Sequence, residues 1–199
     1  MPGDYQYDVF LSYCRKSPVL EWVQNHFEPR LKGLLGEALP YEPRVFVDTQ
    51  EIEAGQQWPL LLQEALKHSR CLLAIWSPSY FRSRWCTAEL ESMMAREKLL
   101  NYRTPTLPDR RLVYPVVFAD GEHFPAHAKE MQHRDLQEWN IPDLAFAKSR
   151  KIVGFHQKMK ELTTELAALV QQAPPWQDDW PVELPQAVPP VTPHLPRLP

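Results

Sequence analysis

Apolar positions along the chain fall into short solid runs separated by longer stretches of helical spacing. Tyr7–Tyr13 (YDVFLSY) is an aromatic and β-branched run that predicts a buried strand. Ser17 and Pro18 read as an N-cap with proline at the first helical position. The helix they open carries Val23, Phe27, Leu31, Leu34, Leu35 and Ala38 on its apolar face, and Pro29 predicts a kink or a break into two shorter helices. A second strand is expected at 44–48 (RVFVD), then a polar loop over 50–57. Pro59 opens another helix with Leu62, Ala65 and Leu66 inward. CLLAIW at 71–76 is the third strand, stopped by Ser77-Pro78, and a helix from about Ser83 to Leu100 follows. RLVYPVVF at 111–118 is the fourth strand. Residues 119–149 are irregular, with a short strand or turn near Asp135-Leu136. Helical spacing returns from Ile152 to about Gln172 through Met159, Leu162, Leu166 and Leu169.

Apolar strands alternating with amphipathic helices predict βαβ units and an α/β fold built on a mostly parallel sheet. The pattern ends at Ala173. Nine of the 21 prolines lie beyond it, and Pro190, Pro193, Pro196 and Pro199 keep the three-residue period of a polyproline II helix. The expected organisation is a domain over 5–172 and a proline-rich tail or linker over 173–199. Two readings of Trp176 and Trp180 stand: they pin the start of the tail to the domain, or they present a short motif to a partner.

Composition narrows the function. Hydrophobic residues make up 44% and charged residues 24%, and the net charge is −3 without a long basic block. Nucleic acid and membrane surfaces therefore have no electrostatic claim on the chain. Cys14, Cys71 and Cys86 have neither metal-ligand spacing nor an even count, and the histidines stand apart from cysteines and carboxylates. No metal is expected, and a reducing compartment fits. MPGDYQYD lacks a signal-peptide apolar core and the longest apolar run is CLLAIW, so the expectation is a soluble cytoplasmic protein.

In an open parallel sheet, ligands collect beyond the carboxyl ends of the strands. That rule selects Arg15 and Lys16 after the first strand, 48–58 after the second, Ser77 to Trp85 after the third, and the loop after Phe118. Glu89 lies about one helical turn beyond the third of these segments. By position alone it is either a solvated glutamate near a helix N-terminus, helped by the helix dipole, or an acid directed at a ligand. The core face beside it is Cys86, Leu90, Met93 and Met94.

YDVFLSY, RVFVD with its following EAG, and CLLAIWSPSYFRSRWCTAEL, in this order, resemble the Toll/interleukin-1 receptor (TIR) domain family over roughly residues 5–172. The resemblance implies a flavodoxin-like central sheet of about five parallel strands flanked by helices. Enzymatic members cleave NAD+ between nicotinamide and ribose, using a glutamate four residues after a tryptophan. Here those residues are Glu89 and Trp85. NAD+ is then substrate, with no separate cofactor, and the product is nicotinamide with ADP-ribose or a cyclic isomer. Nicotinamide in NAD+ is already a cationic leaving group and needs no acid to protonate it. One carboxylate can hydrogen-bond the ribose hydroxyls, stabilise the oxocarbenium-like cation, or trap it.

The resemblance also implies self-association through TIR–TIR contacts and an upstream sensor, in immunity or antiphage defence. The loop over 48–58 closes the pocket or docks on a neighbouring subunit. Arg15 and Lys16 are candidates for the diphosphate, although Cys14 stands where the family often has a basic residue; a solvated loop is the plainer reading. Asp48 either contacts substrate or caps its loop. Trp58 either stacks on a ring or staples the next helix. Trp85 either walls the site or packs in the core, Cys86 reads as buried apolar rather than nucleophilic, and Ser77 joins the substrate-binding candidates. Two non-enzymatic alternatives stay open: a signalling or scaffold module acting through TIR–TIR contacts alone, and a sensor that binds a nucleotide-derived signal without turnover.

Overall fold

A computed structural model describes residues 4–47, 60–183 and 185. The strands are β1 (Tyr7–Tyr13), β2 (Val45–Val47), β3 (Ser69–Trp76), β4 (Val113–Val117) and β5 (Arg134–Asp135). All pair in parallel in the order β2-β1-β3-β4-β5. This is the flavodoxin-like order, in which the chain reverses its direction of winding between β1 and β3. The two edge strands are short, which limits the backbone open to pairing with another chain.

Strand periodicity assigns alternate residues to opposite layers. Val9, Leu11, Tyr13, Cys71, Leu73, Ile75, Tyr114 and Val116 enter one core. It is closed by α1 (Val19–Trp22), α2 (Glu28–Ala38) and α7 (Lys151–Gln171). Phe10, Cys14, Leu72, Ala74, Trp76, Val113 and Val117 enter the other. Its cover is α3 (Leu60–Lys67), α4 (Pro78–Arg82), α5 (Arg84–Leu99) and α6 (Ala126–Glu130). The inward positions expected for α3 and for the core of α7 are all buried.

Pro29 acts as expected on the first helical stretch, and the interruption is a π turn over Val23–Phe27 between α1 and α2. Proline has no N–H for the carbonyl four residues back and its ring crowds that carbonyl, so the turn before it widens. Ser17 does not cap this helix: its hydroxyl bonds the Glu21 carboxylate, and Pro18 occupies the cap position. Pro115 sits inside β4 without losing a ladder bond. The Val117 carbonyl accepts from Leu136 N–H on the β5 side at 2.9 Å, so Pro115, two residues earlier, also faces that side, before β5 begins.

The segment after α7 packs back on the domain. Trp176 stacks on His68, Asp178 pairs with Lys67 at 3.0 Å, and Trp180 is buried over the Arg96 guanidinium at 4.9 Å. Glu183 N–H donates to Ser92 Oγ at 2.8 Å. Of the two readings of the tryptophan pair, the pin is the one observed. Asp48, the loop over 50–57, Trp58, Pro59 and the prolines at 189–199 lie outside the described residues. Among the described residues, no helix is long and apolar enough to cross a membrane.

Candidate functional site

The carboxyl ends of β1 and β3 flank the switch point, and the first turns of α4 and α5 follow directly from β3. Ser77 ends β3 and caps α4: its hydroxyl accepts from Tyr80 N–H at 3.2 Å, with Pro78 at the first helical position. That hydroxyl also bonds Ser79 Oγ at 2.8 Å. The cap fixes Tyr80, whose ring is fully buried beside Phe81. Ser83 then caps α5 by accepting from Cys86 N–H.

Glu89 occupies the second turn of α5 and is only 6% exposed. The reading of a solvated glutamate near a helix start is therefore corrected. The acid lies against the sheet, where the Ser12 hydroxyl donates to Glu89 Oε2 at 2.5 Å. Ser12 Oγ also lies 3.0 Å from the Tyr80 hydroxyl. Ser12 and Ala74 pair across β1 and β3. Two small side chains at this point leave room between sheet and helices for a tyrosine ring and a carboxylate.

Two neighbours of Glu89, Tyr80 and Cys86, are held neutral. Burial, then Cys86 and Glu89, push the Tyr80 hydroxyl well above its ordinary range. Burial and then Glu89 do the same to the Cys86 thiol, which agrees with Cys86 as a buried apolar residue. Cys86, Leu90 and Met93 form the inner face of α5 as expected, and Met94 is partly buried against the same core.

Trp85 is partly buried on the same core, one turn before Glu89. Arg15 is half-buried and Lys16 exposed in the connection that leaves β1. The candidates at the ends of β1 and β3 thus share one rim. Ser12 and Tyr80 are the residues that sequence reasoning missed. A serine in an aromatic and aliphatic strand reads as part of the strand, and its partners are 68 and 77 positions away.

Two other features stand out among the described residues. The turn after β4 brings Asp120, Glu122 and His123 within 4.8 Å of one another, where sequence spacing had set the histidines apart from carboxylates. All three are exposed, as acidic turns commonly are without any ion. A surface cleft of about 230 Å³ lies between the start of β4 and the end of α7, lined by Arg110, Arg111, Glu165 and Gln172. It opens at the amino ends of the strands, away from Glu89.

Residues 9–150 match the sequence profile of the TIR domain. The chain belongs to the TIR domain family. This TIR domain is 34% identical over 120 residues to the disease resistance-like protein CSA1 of Arabidopsis thaliana, a match that takes in 58% of the chain but only 9% of that relative's length. Among solved structures it is similar to the TIR domain of the Toll-related receptor TRR-2 from Hydra magnipapillata, with 17% identity and a TM-score of 0.48 over 76% of this chain and 99% of that one. It is also similar to the TIR domains of the activated Roq1 resistosome, with 19% identity and a TM-score of 0.38 over 82% and 85% of the two chains. A metazoan TIR-STING receptor from C. gigas, solved with 2',3'-cGAMP, matches at 15% identity and a TM-score of 0.43 over 80% of this chain and 41% of that one.

Proposed function

We propose that this TIR domain is a NAD+ glycohydrolase that cleaves the nicotinamide–ribose bond, with Glu89 as the acting carboxylate. The observation that carries the reading is the place of Glu89. It stands four residues after Trp85, at the switch point of the sheet, with its carboxylate fixed by a hydroxyl from β1. A ligand-binding rim and a single oriented acid are what this reaction needs. As the bond breaks, nicotinamide leaves neutral with the bonding electron pair and positive charge develops on the ribose. Glu89 stabilises that charge or traps it, and water then completes the sugar product. Trp85 supplies an apolar wall beside the carboxylate. Arg15 and Lys16 offset diphosphate charge, and Ser77 lines the rim through the α4 turn. Asp48 and Trp58 belong to the same proposal, although they lie outside the described residues.

Because Glu89 is 6% exposed, productive contact with ribose takes a rearrangement of the rim. Self-association through TIR–TIR contacts, driven by an upstream sensor, supplies it in this reading. The name of the plant relative ties that protein to disease resistance, and we extend an immune or antiphage setting, in the cytoplasm, to this chain on that basis. The test is nicotinamide release from NAD+ by wild type and Glu89→Ala, dilute and in an assembled state. The proposal expects release by assembled wild type and a loss of about 10²-fold or more in the variant. Equal release by both removes Glu89 from the mechanism.

The burial of Glu89 also supports a second reading. Here the Ser12–Glu89 bond only ties α5 to β1, and the domain signals through TIR–TIR contacts without turnover. Absence of nicotinamide release from assembled wild type, with partner binding lost on changing residues 48–58, is the result that selects it.

A further inference from the structure

Ser12 interrupts a face that is otherwise apolar. Its neighbours on that side of the sheet are Phe10, Cys14, Leu72, Ala74 and Trp76, all in the core. Ser12, Tyr80 and Glu89 are nonetheless packed there with exposures of 1%, 0% and 6%. A hydroxyl, a phenol and a carboxylate buried together cost free energy unless each is hydrogen-bonded, and an alanine, phenylalanine and leucine would hold the same layers without that cost.

Donor bookkeeping gives the trio a direction. Serine has one hydroxyl proton, and it goes to Glu89 Oε2. The Tyr80 hydroxyl, kept protonated by burial, then has to donate to Ser12 Oγ. The chain Tyr80 → Ser12 → Glu89 runs from α4 through β1 to α5. Each bond polarises the next, and the last, at 2.5 Å, is the shorter of the two. The Ser77 cap fixes its origin, since it sets the turn that carries Tyr80.

We propose that Ser12 and Tyr80 are the positioning pair for Glu89: Ser12 holds and orients its carboxylate, and Tyr80 acts through Ser12. The inference rests on the glycohydrolase reading for its catalytic consequence. Among the described residues, Cys86 on the same helix is coupled to Glu89 and held neutral, and Cys14 at the end of β1 lies near Cys86. Neither replaces a hydroxyl donor.

The experiment compares the wild-type chain over residues 1–199, Ser12→Ala, Ser12→Thr, Tyr80→Phe and the double variant Ser12→Ala/Tyr80→Phe, in the assembled state with NAD+. A hydrogen bond to a charged group is worth roughly a factor of ten to a hundred. Ser12→Ala should lower kcat by about that factor and leave KM within about twofold, as expected for a group that orients the acting acid rather than binding substrate. Tyr80→Phe should lower kcat by less. The double variant should be little worse than Ser12→Ala, because the hydrogen-bonded path from Tyr80 to Glu89 runs through the serine. Ser12→Thr should recover most of the activity.

A second readout is independent of turnover: NMR titration of the Glu89 side-chain carboxyl carbon, assigned by its loss in Glu89→Gln. Removing a donor from the charged form should raise its midpoint in Ser12→Ala by about one pH unit or more. A kcat for Ser12→Ala within about twofold of wild type overturns the positioning role, as does additive loss in the double variant. If assembled wild type releases no nicotinamide, the glycohydrolase reading falls by itself. The titration then decides whether Ser12 governs Glu89, and an unchanged midpoint overturns that link too.

Discussion

Replacing Trp180 with alanine removes the main anchor of the segment that follows α7. Trp180 is 4% exposed and its ring lies 4.9 Å from a guanidinium that is itself fully buried. Arg96 donates to the carbonyls of Ser69 at 2.9 Å and Leu66 at 3.3 Å, so it ties the end of α3 and the start of β3 to α5. Burial lowers its pKa to about 10. An aromatic side chain buries about 150–250 Å², which at about 25 cal/mol per Å² is roughly 4–6 kcal/mol of gross burial.

The net loss is smaller for two reasons. Once Trp180 is gone the one or two residues beside it gain freedom, which returns about 1–2 kcal/mol of backbone entropy for each. Arg96 also gains hydration when its cover is removed. We expect a loss of about 3 kcal/mol, which lowers Tm by roughly 6–12 °C in a domain of this size. Trp176→Ala should cost less, because that ring is only partly buried on His68. Thermal unfolding followed by circular dichroism, with a urea midpoint as check, measures both. A Tm within about 1 °C of wild type for Trp180→Ala would refute the reasoning, because the gross burial estimated above is several times too large to vanish unnoticed.

Glu97, itself buried, accepts from Leu112 N–H at 2.5 Å, Val113 N–H at 2.8 Å and the half-buried Arg103 Nε at 2.6 Å. Glu97→Ala should therefore cost roughly 3–5 kcal/mol in urea unfolding, and Glu97→Gln, which keeps an acceptor, distinctly less. Burial opposes the ionisation of Glu165, but Arg134, the Tyr114 hydroxyl and Arg111 outweigh it and hold its pKa below the usual value. Its folded pKa lies below its unfolded one, so its contribution is present above the ordinary glutamate range and fades as pH falls. Between about pH 5 and pH 3, Tm should drop less steeply in Glu165→Gln than in wild type; parallel curves would contradict this. Cys14, Cys71 and Cys86 are all buried and free. A thiol reagent should label none of them rapidly in the native protein and all three in denaturant.

The strands and the long helices were legible because their signals are local. YDVFLSY becomes β1 over the same residues, and the apolar spacing of Cys86, Leu90 and Met93 orients α5. Glu89 could be placed at the edge of that face but its burial could not be foreseen. The group that holds it is a serine 77 residues earlier, and hydrophobic periodicity treats a lone strand serine as noise. Arg96 escaped notice for the same reason: its charge reads as solvent-facing until Trp180, from the far side of α7, is laid over it. The interruption at Pro29 was readable, whereas its form, a π turn, depends on how the helix packs on both sides. Tyr80 was hidden inside SPSYF, where the Ser-Pro cap is legible but the direction of the next ring is set by the sheet beneath it.

The most direct measurement is nicotinamide released from NAD+ as the concentration of the chain is raised, with self-association followed by light scattering, for wild type and Glu89→Gln in parallel. The glycohydrolase reading predicts release that rises more than proportionally with wild-type concentration and stays near background for Glu89→Gln throughout. Equal curves for the two proteins, or a flat wild-type curve after association is complete, would contradict it.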